Sequence, residues 1–206
     1  MNKGLFMQIL KEDINSAIKE AAINEFYQYG YADTSIRSVA KRAGISAGNI
    51  YHYYKSKDEL FYELLGPVVN EIISIIEVNE FENTGPVYQD DIQSHLEKQV
   101  FKITEVILRK RIEISILLYG SRGTKYENIK DIFVKSLYEH IKEHIELKQV
   151  SIHDEMAWVM AVSIIEGYLE LIRRYYDHPL FMSFLKTYFE LHFQGWVDFF
   201  TISCDK

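Results

Sequence analysis

The chain has 206 residues, of which 48% are hydrophobic and 26% charged, which excludes an extensively disordered protein. The length suits one large domain, or a small domain joined to a larger one. The net charge of −7 argues at first against a nucleic-acid partner. However, residues 34–57 contain five Lys or Arg residues and no acid, which leaves −12 on the remainder. A basic face on an acidic body is compatible with DNA binding, because counterion release depends on the charges at the contact.

The N-terminus and the longest apolar runs predict a cytoplasmic protein without a membrane partner. Lys11, Glu12 and Asp13 interrupt the first apolar run and no small-residue cleavage site follows, so a signal peptide is not expected. Apolar stretches such as residues 158–165 are far shorter than the ~20 residues of a membrane span. Cys204 is the only cysteine, so no disulfide forms within one chain, which favours a reducing compartment.

The first predicted element is an amphipathic helix. Apolar residues recur at three- and four-residue steps from Ile14 to Phe26 and give the helix one apolar face. We expect this helix to end near Tyr29, with Gly30 as its C-terminal stop.

Three further helices are predicted next. The second covers residues 35–43, begins with a hydroxyl N-cap at Thr34 or Ser35, and ends at Gly44, which can take the positive φ of a tight exit. Ser46 then caps a third helix of about residues 47–53, and Ser56 caps a longer fourth helix.

The rest of the chain also has helical periodicity. Gly66-Pro67 predicts a kink or a break in the fourth helix, and residues 80–89 predict a loop. The later helices are expected at about residues 90–108, 110–120, 124–147, 154–176 and 180–200. The sequence therefore predicts an all-α fold of about nine helices.

The turn around Gly44 has the features of a helix-turn-helix. Ala40 is small enough for two helices to cross closely, and Ile45 fills the angle between them. Ile50 and Tyr54 anchor the third helix to the core, which leaves its other face available to DNA. The alternative is an ordinary helical hairpin with a glycine turn.

The available face of the third helix supplies candidate DNA contacts. Asn49 is a candidate for pairing with an adenine edge, and Tyr51 for contacting a thymine methyl group or a phosphate. Arg37, Tyr53 and Lys57 are candidates for phosphate contacts. The full predicted set is Thr34, Arg37, Ala47, Gly48, Asn49, Tyr51, His52, Tyr53 and Lys57.

The run GYADTSIRSVAKRAGISAGNIYHYYKSKDELFYELL resembles the DNA-binding domain of the TetR family of transcriptional regulators. The resemblance covers about residues 12–72, with the helix-turn-helix at about 35–54, and leaves 73–206 as a larger helical regulatory, ligand-binding and dimerisation domain. Tyr53-Tyr54 departs from the His-Phe of many members but retains a phosphate donor and a core residue. The resemblance implies a homodimeric repressor, released from a palindromic operator by an unidentified small molecule, with a transcriptional activator as the alternative.

Two apolar faces support a homodimer through about residues 154–200. The family resemblance implies that the last two helices of each subunit form a four-helix interface. A fully buried helix has a similar pattern, so some of these residues belong to the core of the subunit. The faces comprise Trp158, Val162, Ile165, Leu169 and Ile172 on one helix, and Leu180, Phe184, Tyr188, Leu191, Gly195 and Phe199 on the other.

The resemblance also implies a small-molecule pocket beyond residue 75. Aromatic residues with partly buried acids suit a cationic, lipophilic ligand, whereas core packing and solvated ion pairs are the alternatives. The pocket candidates are Glu113, Tyr119, Tyr126, Phe133, Trp158 and Glu166.

The competing hypothesis is a ligand- or metal-binding helical bundle without DNA function. His140 and His144 have a spacing that can present two metal ligands, but no nearby third ligand completes the set, so neither a metal nor a cofactor is predicted. No nucleophile–base pair or phosphate-binding glycine loop is present in the sequence, so an enzyme is not expected.

Overall fold

The computed structural model describes residues 3–77, 98, 101–147 and 153–202, and it describes side chains there except at 3–10, 144, 147 and 193–202. Within these ranges there are nine helical segments and no strand, which confirms the predicted all-α class. No described helix is both long enough and apolar enough to span a membrane. The helices are α1 (Lys3–Asp33), α2 (Ile36–Ala43), α3 (Ala47–Ile50), α4 (Lys57–Ile76), α5 (described over residues 101–109), α6 (Arg111–Tyr119), α7 (Ile129–Leu147), α8 (Asp154–Tyr175) and α9 (Phe181–Ile202).

Helix boundaries agree with the sequence where glycine or a hydroxyl cap determines them. Gly30 has φ 74° and ψ 169°, so the regular part of α1 stops where predicted, and one helical turn follows it. The third helix is shorter than predicted, because the N–H groups of Tyr53 and Tyr54 both donate to Ile50 O and residues 51–53 form turns.

The predicted start of α7 and a predicted break in α4 were also wrong. α7 begins at residue 129 rather than 124, because Gly123 has φ 83° and the Thr124 hydroxyl donates back to Ser121 O at 2.7 Å, which together form a turn. A kink or a break was predicted at Gly66-Pro67; the helix α4 continues through Pro67, so the break was wrong and the kink stays a prediction. Buried residues on both sides of this proline, Leu65 and Val68, supply packing that offsets the missing hydrogen bond.

The chain forms two compact units. The first comprises Met1–Asn70 and Lys110–Ile129, and the second comprises Glu71–Arg109 and Lys130–Lys206. Residues 110–129 therefore belong to the first unit although they follow residue 72 in sequence. The assignment of domains to residues 12–72 and 73–206 stays a prediction.

In the first unit, α6 packs against α1 at a contact between two glycines. Tyr31 N donates to Gly120 O at 2.7 Å, and a Cβ on Gly120 would lie 3.3 Å from the Cα of Gly30. Any side chain at Gly120 would therefore separate the two backbones. The apolar core of this unit includes Ile18, Phe26, Val39, Ala40, Ile50, Leu60 and Phe61.

In the second unit, α8 packs against both α7 and α9. Ala157 and Ala161 on α8 are fully buried against Val134 and Ile141 on α7. The helices α8 and α9 run antiparallel, since Tyr175 stacks edge-on against Phe184 and Tyr168 against Tyr188, at ring distances of 5.5 and 5.3 Å.

Gly167 on α8 is required by the Tyr188 side chain of α9. The Tyr188 hydroxyl donates to Ser163 O at 2.6 Å, and a Cβ at residue 167 would lie 1.9 Å from that hydroxyl oxygen. We expect Gly167→Ala to lower the free energy of unfolding by about 1–3 kcal/mol, the usual cost of overpacking. Urea denaturation at one fixed protein concentration measures the change.

The sign of this effect should depend on residue 188. In the Tyr188→Leu background the ring is absent, so Gly167→Ala should instead stabilise by up to about 1 kcal/mol through helix propensity. The same loss of stability in both backgrounds would show that the close approach to Tyr188 is not its cause.

Candidate nucleic-acid interface

The helix α2 begins and ends as its sequence predicts. Ser35 is the N-cap: its side chain accepts from Ser38 N at 3.0 Å, and its own N–H donates to the Ser38 hydroxyl at 3.2 Å. Gly44 ends the helix with φ 71°, in the left-handed region that favours glycine. Ile45 N then donates to Ala40 O at 3.0 Å, so the turn into α3 is fixed by backbone hydrogen bonds.

The helix α3 is anchored on its inner face. The Ser46 side chain accepts from Asn49 N at 3.2 Å and caps the helix, and Ile50 is fully buried. Tyr54, which follows α3, is also buried, and its hydroxyl donates to Asn15 Oδ1 at 2.6 Å. Burial and the charge of Glu63 raise the pKa of the Tyr54 phenol well above its usual value, which keeps the hydroxyl protonated as a donor.

The outer face of α3 and the turn after it is available to a ligand. Gly48, Tyr51 and His52 are exposed, and 55% of Tyr51 is accessible. The other predicted contacts on this segment, Ala47, Asn49 and Tyr53, are half-buried. The structure therefore places these six candidates on one short segment with buried anchors behind it.

Three cations of the basic window are exposed without an internal partner, and the other two have internal partners. Arg37, Lys41 and Lys55 have exposed side chains without an ion-pair or hydrogen-bond partner among the described residues. Arg42, in contrast, pairs with the buried Glu25 of α1, with 2.6 Å between Nε and Oε1. Burial alone would raise the pKa of the Glu25 carboxyl, but hydrogen bonds from Arg42 and Ser38 and the charge of Arg42 hold it below its usual value.

Lys57 and Thr34 also have internal partners. The Lys57 ammonium donates to Tyr31 O at 2.7 Å and to Thr34 O at 2.8 Å. Thr34 is buried, and its hydroxyl donates to Gly30 O at 2.7 Å. The sequence analysis missed these roles, because the partners lie in a different helix or in the turn after it. Contact of Thr34 with DNA stays a prediction.

The six pocket candidates do not lie in one unit. Glu113, Tyr119 and Tyr126 belong to the first unit, and Phe133, Trp158 and Glu166 to the second. Tyr119 is 63% exposed, Glu113 accepts from Lys110 at 3.0 Å, and Tyr126 packs against Tyr62. In the second unit, Phe133 is buried, Trp158 is 43% exposed, and Glu166 accepts from Lys130 at 2.7 Å. The pocket stays a prediction.

The histidine pair on α7 is only partly described. The His144 side chain lies outside the described residues, whereas His140 is half-buried. Across the described part of the chain, no group of three or more His, Cys, Asp or Glu residues is arranged to hold a metal ion.

Comparison with known proteins identifies the helix-turn-helix segment. Residues 18–64 match the family described as bacterial regulatory proteins of the tetR family. The HTH-type transcriptional regulator YhgD of Bacillus subtilis is 29% identical over 138 residues, which cover 65% of this chain and 68% of that protein. IcaR of Staphylococcus epidermidis, the negative transcriptional regulator of the biofilm operon icaADBC, is 22% identical over 68% of this chain and 65% of its own.

A solved structure extends the likeness to most of the fold. NalD of Pseudomonas aeruginosa, the secondary repressor of the MexAB-OprM multidrug efflux pump, superposes with a TM-score of 0.62. The superposition covers 90% of this chain and 97% of NalD at 21% identity, so it establishes a shared fold alone. The family match includes α2, the glycine turn and α3, so this segment is a DNA-binding domain of the tetR family of bacterial regulatory proteins, and the chain is similar to DNA-binding transcriptional regulators.

Proposed function

We propose that the protein is a cytoplasmic, homodimeric repressor that binds a palindromic operator through α3 and is released from it by a small molecule. The observation that carries the proposal is the exposed outer face of α3, with Tyr51 and His52 accessible while Ile50 and Tyr54 are buried behind them. Such an arrangement is what a recognition helix needs to enter the major groove.

The proposed contacts divide into base contacts and phosphate contacts. Asn49 and Tyr51 face the bases, with the small Ala47 and Gly48 allowing close approach of the helix and His52 beside them. Arg37 and Tyr53 contact phosphates, which position the helix without adding sequence information. The exposed Lys41 and Lys55 add to the attraction for the DNA backbone.

Dimerisation is proposed through α8 and α9. One helix as short as α3 contacts too few bases for operator specificity, so two half-sites are needed. Exposed apolar side chains on these two helices, among them Met156, Val159 and Leu191, supply a surface that a second subunit can cover.

Repression rather than activation is supported by the relatives. IcaR is named a negative regulator and NalD a repressor. The proposed effector binds the helical region beyond residue 75, and its chemistry is not identified. The named relatives are regulators, which supports the expectation that the chain is not an enzyme.

Selection of DNA from a random pool by the full chain tests the proposal. We expect an inverted repeat with half-sites about one helical turn, or a multiple of it, apart. Three exposed cations in each subunit have no internal partner, so the slope of log affinity against log salt concentration should be about −5 for the dimer. A pool without enrichment for any sequence would reject the proposed function.

A further inference from the structure

The turn between α1 and α2 is held by a lysine from α4. The Lys57 Nζ lies 2.7 Å from Tyr31 O, 2.8 Å from Thr34 O and 4.0 Å from the centre of the Tyr31 ring. A lysine ammonium has three N–H donors, so two of them are used by these carbonyl groups. Its charge also faces the Tyr31 ring, a favourable cation–π contact.

Tyr31 lies in the last turn of α1 and Thr34 directly follows that helix, and a helix end leaves carbonyl groups without intrahelical partners. Lysine side chains satisfy these groups at many helix ends. The neighbouring residue of α4 strengthens the arrangement, because the Tyr31 hydroxyl donates to Asp58 Oδ1. Burial lowers the pKa of Lys57, although Asp58 and Asp33 act in the opposite direction, as expected for an ammonium facing the protein rather than open solvent.

This turn determines where α2 begins. The Thr34 hydroxyl donates to Gly30 O, and the next residue, Ser35, is the N-cap of α2. The far end of α2 is joined to α3 through the backbone hydrogen bonds around Gly44. Displacement of the turn would therefore shift α2 and, with it, the outer face of α3.

We propose that Lys57 is a positioning residue, whose ammonium binds the carbonyl groups of Tyr31 and Thr34 and so orients α2 and α3 for base contact, and that it does not itself bind a phosphate. If the ammonium moved to a phosphate, Thr34 O would lose this donor and Tyr31 O would keep only the N–H of Thr34, and a buried carbonyl group without a donor is costly. Arg37 differs from Lys57, because it is exposed and has no partner among the described residues.

The inference rests on the proposed function. DNA selection by the wild-type protein distinguishes a failure of the proposed function from a failure of the inference. The probe is the DNA that the wild-type chain selects from a random pool, with random duplex DNA of equal length for comparison. If the wild type selects no sequence, the proposed function fails and the inference fails with it. If it selects a sequence, the variants test Lys57 alone.

The experiment compares Lys57→Met with Arg37→Met and with Lys55→Met, a neighbouring exposed lysine. Lys57→Met should lower affinity for the selected DNA about tenfold or more, change affinity for random DNA little, and leave the salt slope as in the wild type. Arg37→Met should reduce the magnitude of the slope by about two, since one phosphate contact is lost in each subunit. Lys55→Met should retain the wild-type ratio of affinities for selected and random DNA.

Two results would overturn the inference. A reduction of the slope by about two in Lys57→Met would make Lys57 a phosphate contact. A lower melting temperature with an unchanged ratio of affinities for selected and random DNA would make its role structural only. If Lys57→Met does not fold, Lys57→Gln decides, because glutamine keeps an N–H donor without the charge. For Lys57→Gln, the slope of log affinity against log salt concentration should equal that of the wild type. A slope smaller in magnitude by about two would reject the proposal.

Discussion

Replacing Asn49 with alanine is expected to weaken binding to the selected DNA by between about 30-fold and about 10⁴-fold. A bidentate contact between an asparagine side chain and a base contributes about 1–3 kcal/mol of discrimination, and the proposed dimer makes it twice. Affinity for random DNA should change by less than about threefold, because phosphate contacts supply that binding. Titration of both duplexes at one salt concentration, followed by fluorescence anisotropy, measures the two effects.

The structure explains why this change should leave the fold intact. The cap of α3 uses the backbone N–H of Asn49, which donates to Ser46 Oγ, so alanine retains it. Alanine also has the higher helix propensity. Asn128→Ala is the matched control, since Asn128 is an exposed asparagine of the same unit outside the helix-turn-helix, and both affinities should stay unchanged. Equal losses on the two duplexes in Asn49→Ala would mean that the side chain contacts the DNA backbone rather than a base.

The helix-turn-helix was predictable because its determinants are local. The caps Ser35 and Ser46 lie three residues before the N–H groups that they accept from, and Gly44 sits where a positive φ is needed. The anchors Ile50 and Tyr54 were predicted from their four-residue spacing, and both are buried although Tyr54 follows the end of α3.

The roles of the cations were not predictable, because they depend on residues far away in sequence. Arg42 pairs with Glu25, 17 residues earlier, and Lys57 binds Tyr31 O, 26 residues earlier. Counting charge in a window treats all five cations as equivalent, whereas the fold leaves three of them exposed without such partners. The pocket candidates had the same weakness, since aromatic and acidic composition does not indicate which unit a residue joins.

Replacing Leu191 with lysine is expected to convert the proposed dimer into a monomer. Leu191 is 72% exposed in the single subunit, so a lysine there costs the subunit little. In the dimer, the same change would bury an unpaired charge from each subunit in an apolar contact, which is strongly unfavourable. The antiparallel contact of Tyr188 with Ser163 brings residue 191 towards Val159 of α8. Val159 is also apolar and exposed, so the apolar surface continues from α9 to α8.

Loss of the dimer should remove operator binding almost entirely. A monomer occupies one half-site and loses the effective concentration that links the two contacts, which corresponds to about 10²–10⁴-fold in affinity. Sedimentation velocity at micromolar concentration measures the change in mass. Met182→Lys is the matched control, since Met182 is also exposed on α9. At 3.6 residues per turn, Met182 lies on the opposite side of the helix from Leu191. A dimer that persists in Leu191→Lys but dissociates in Met182→Lys would place the interface on the opposite face of α9, and dimers in both would exclude either exposed side chain from the contact.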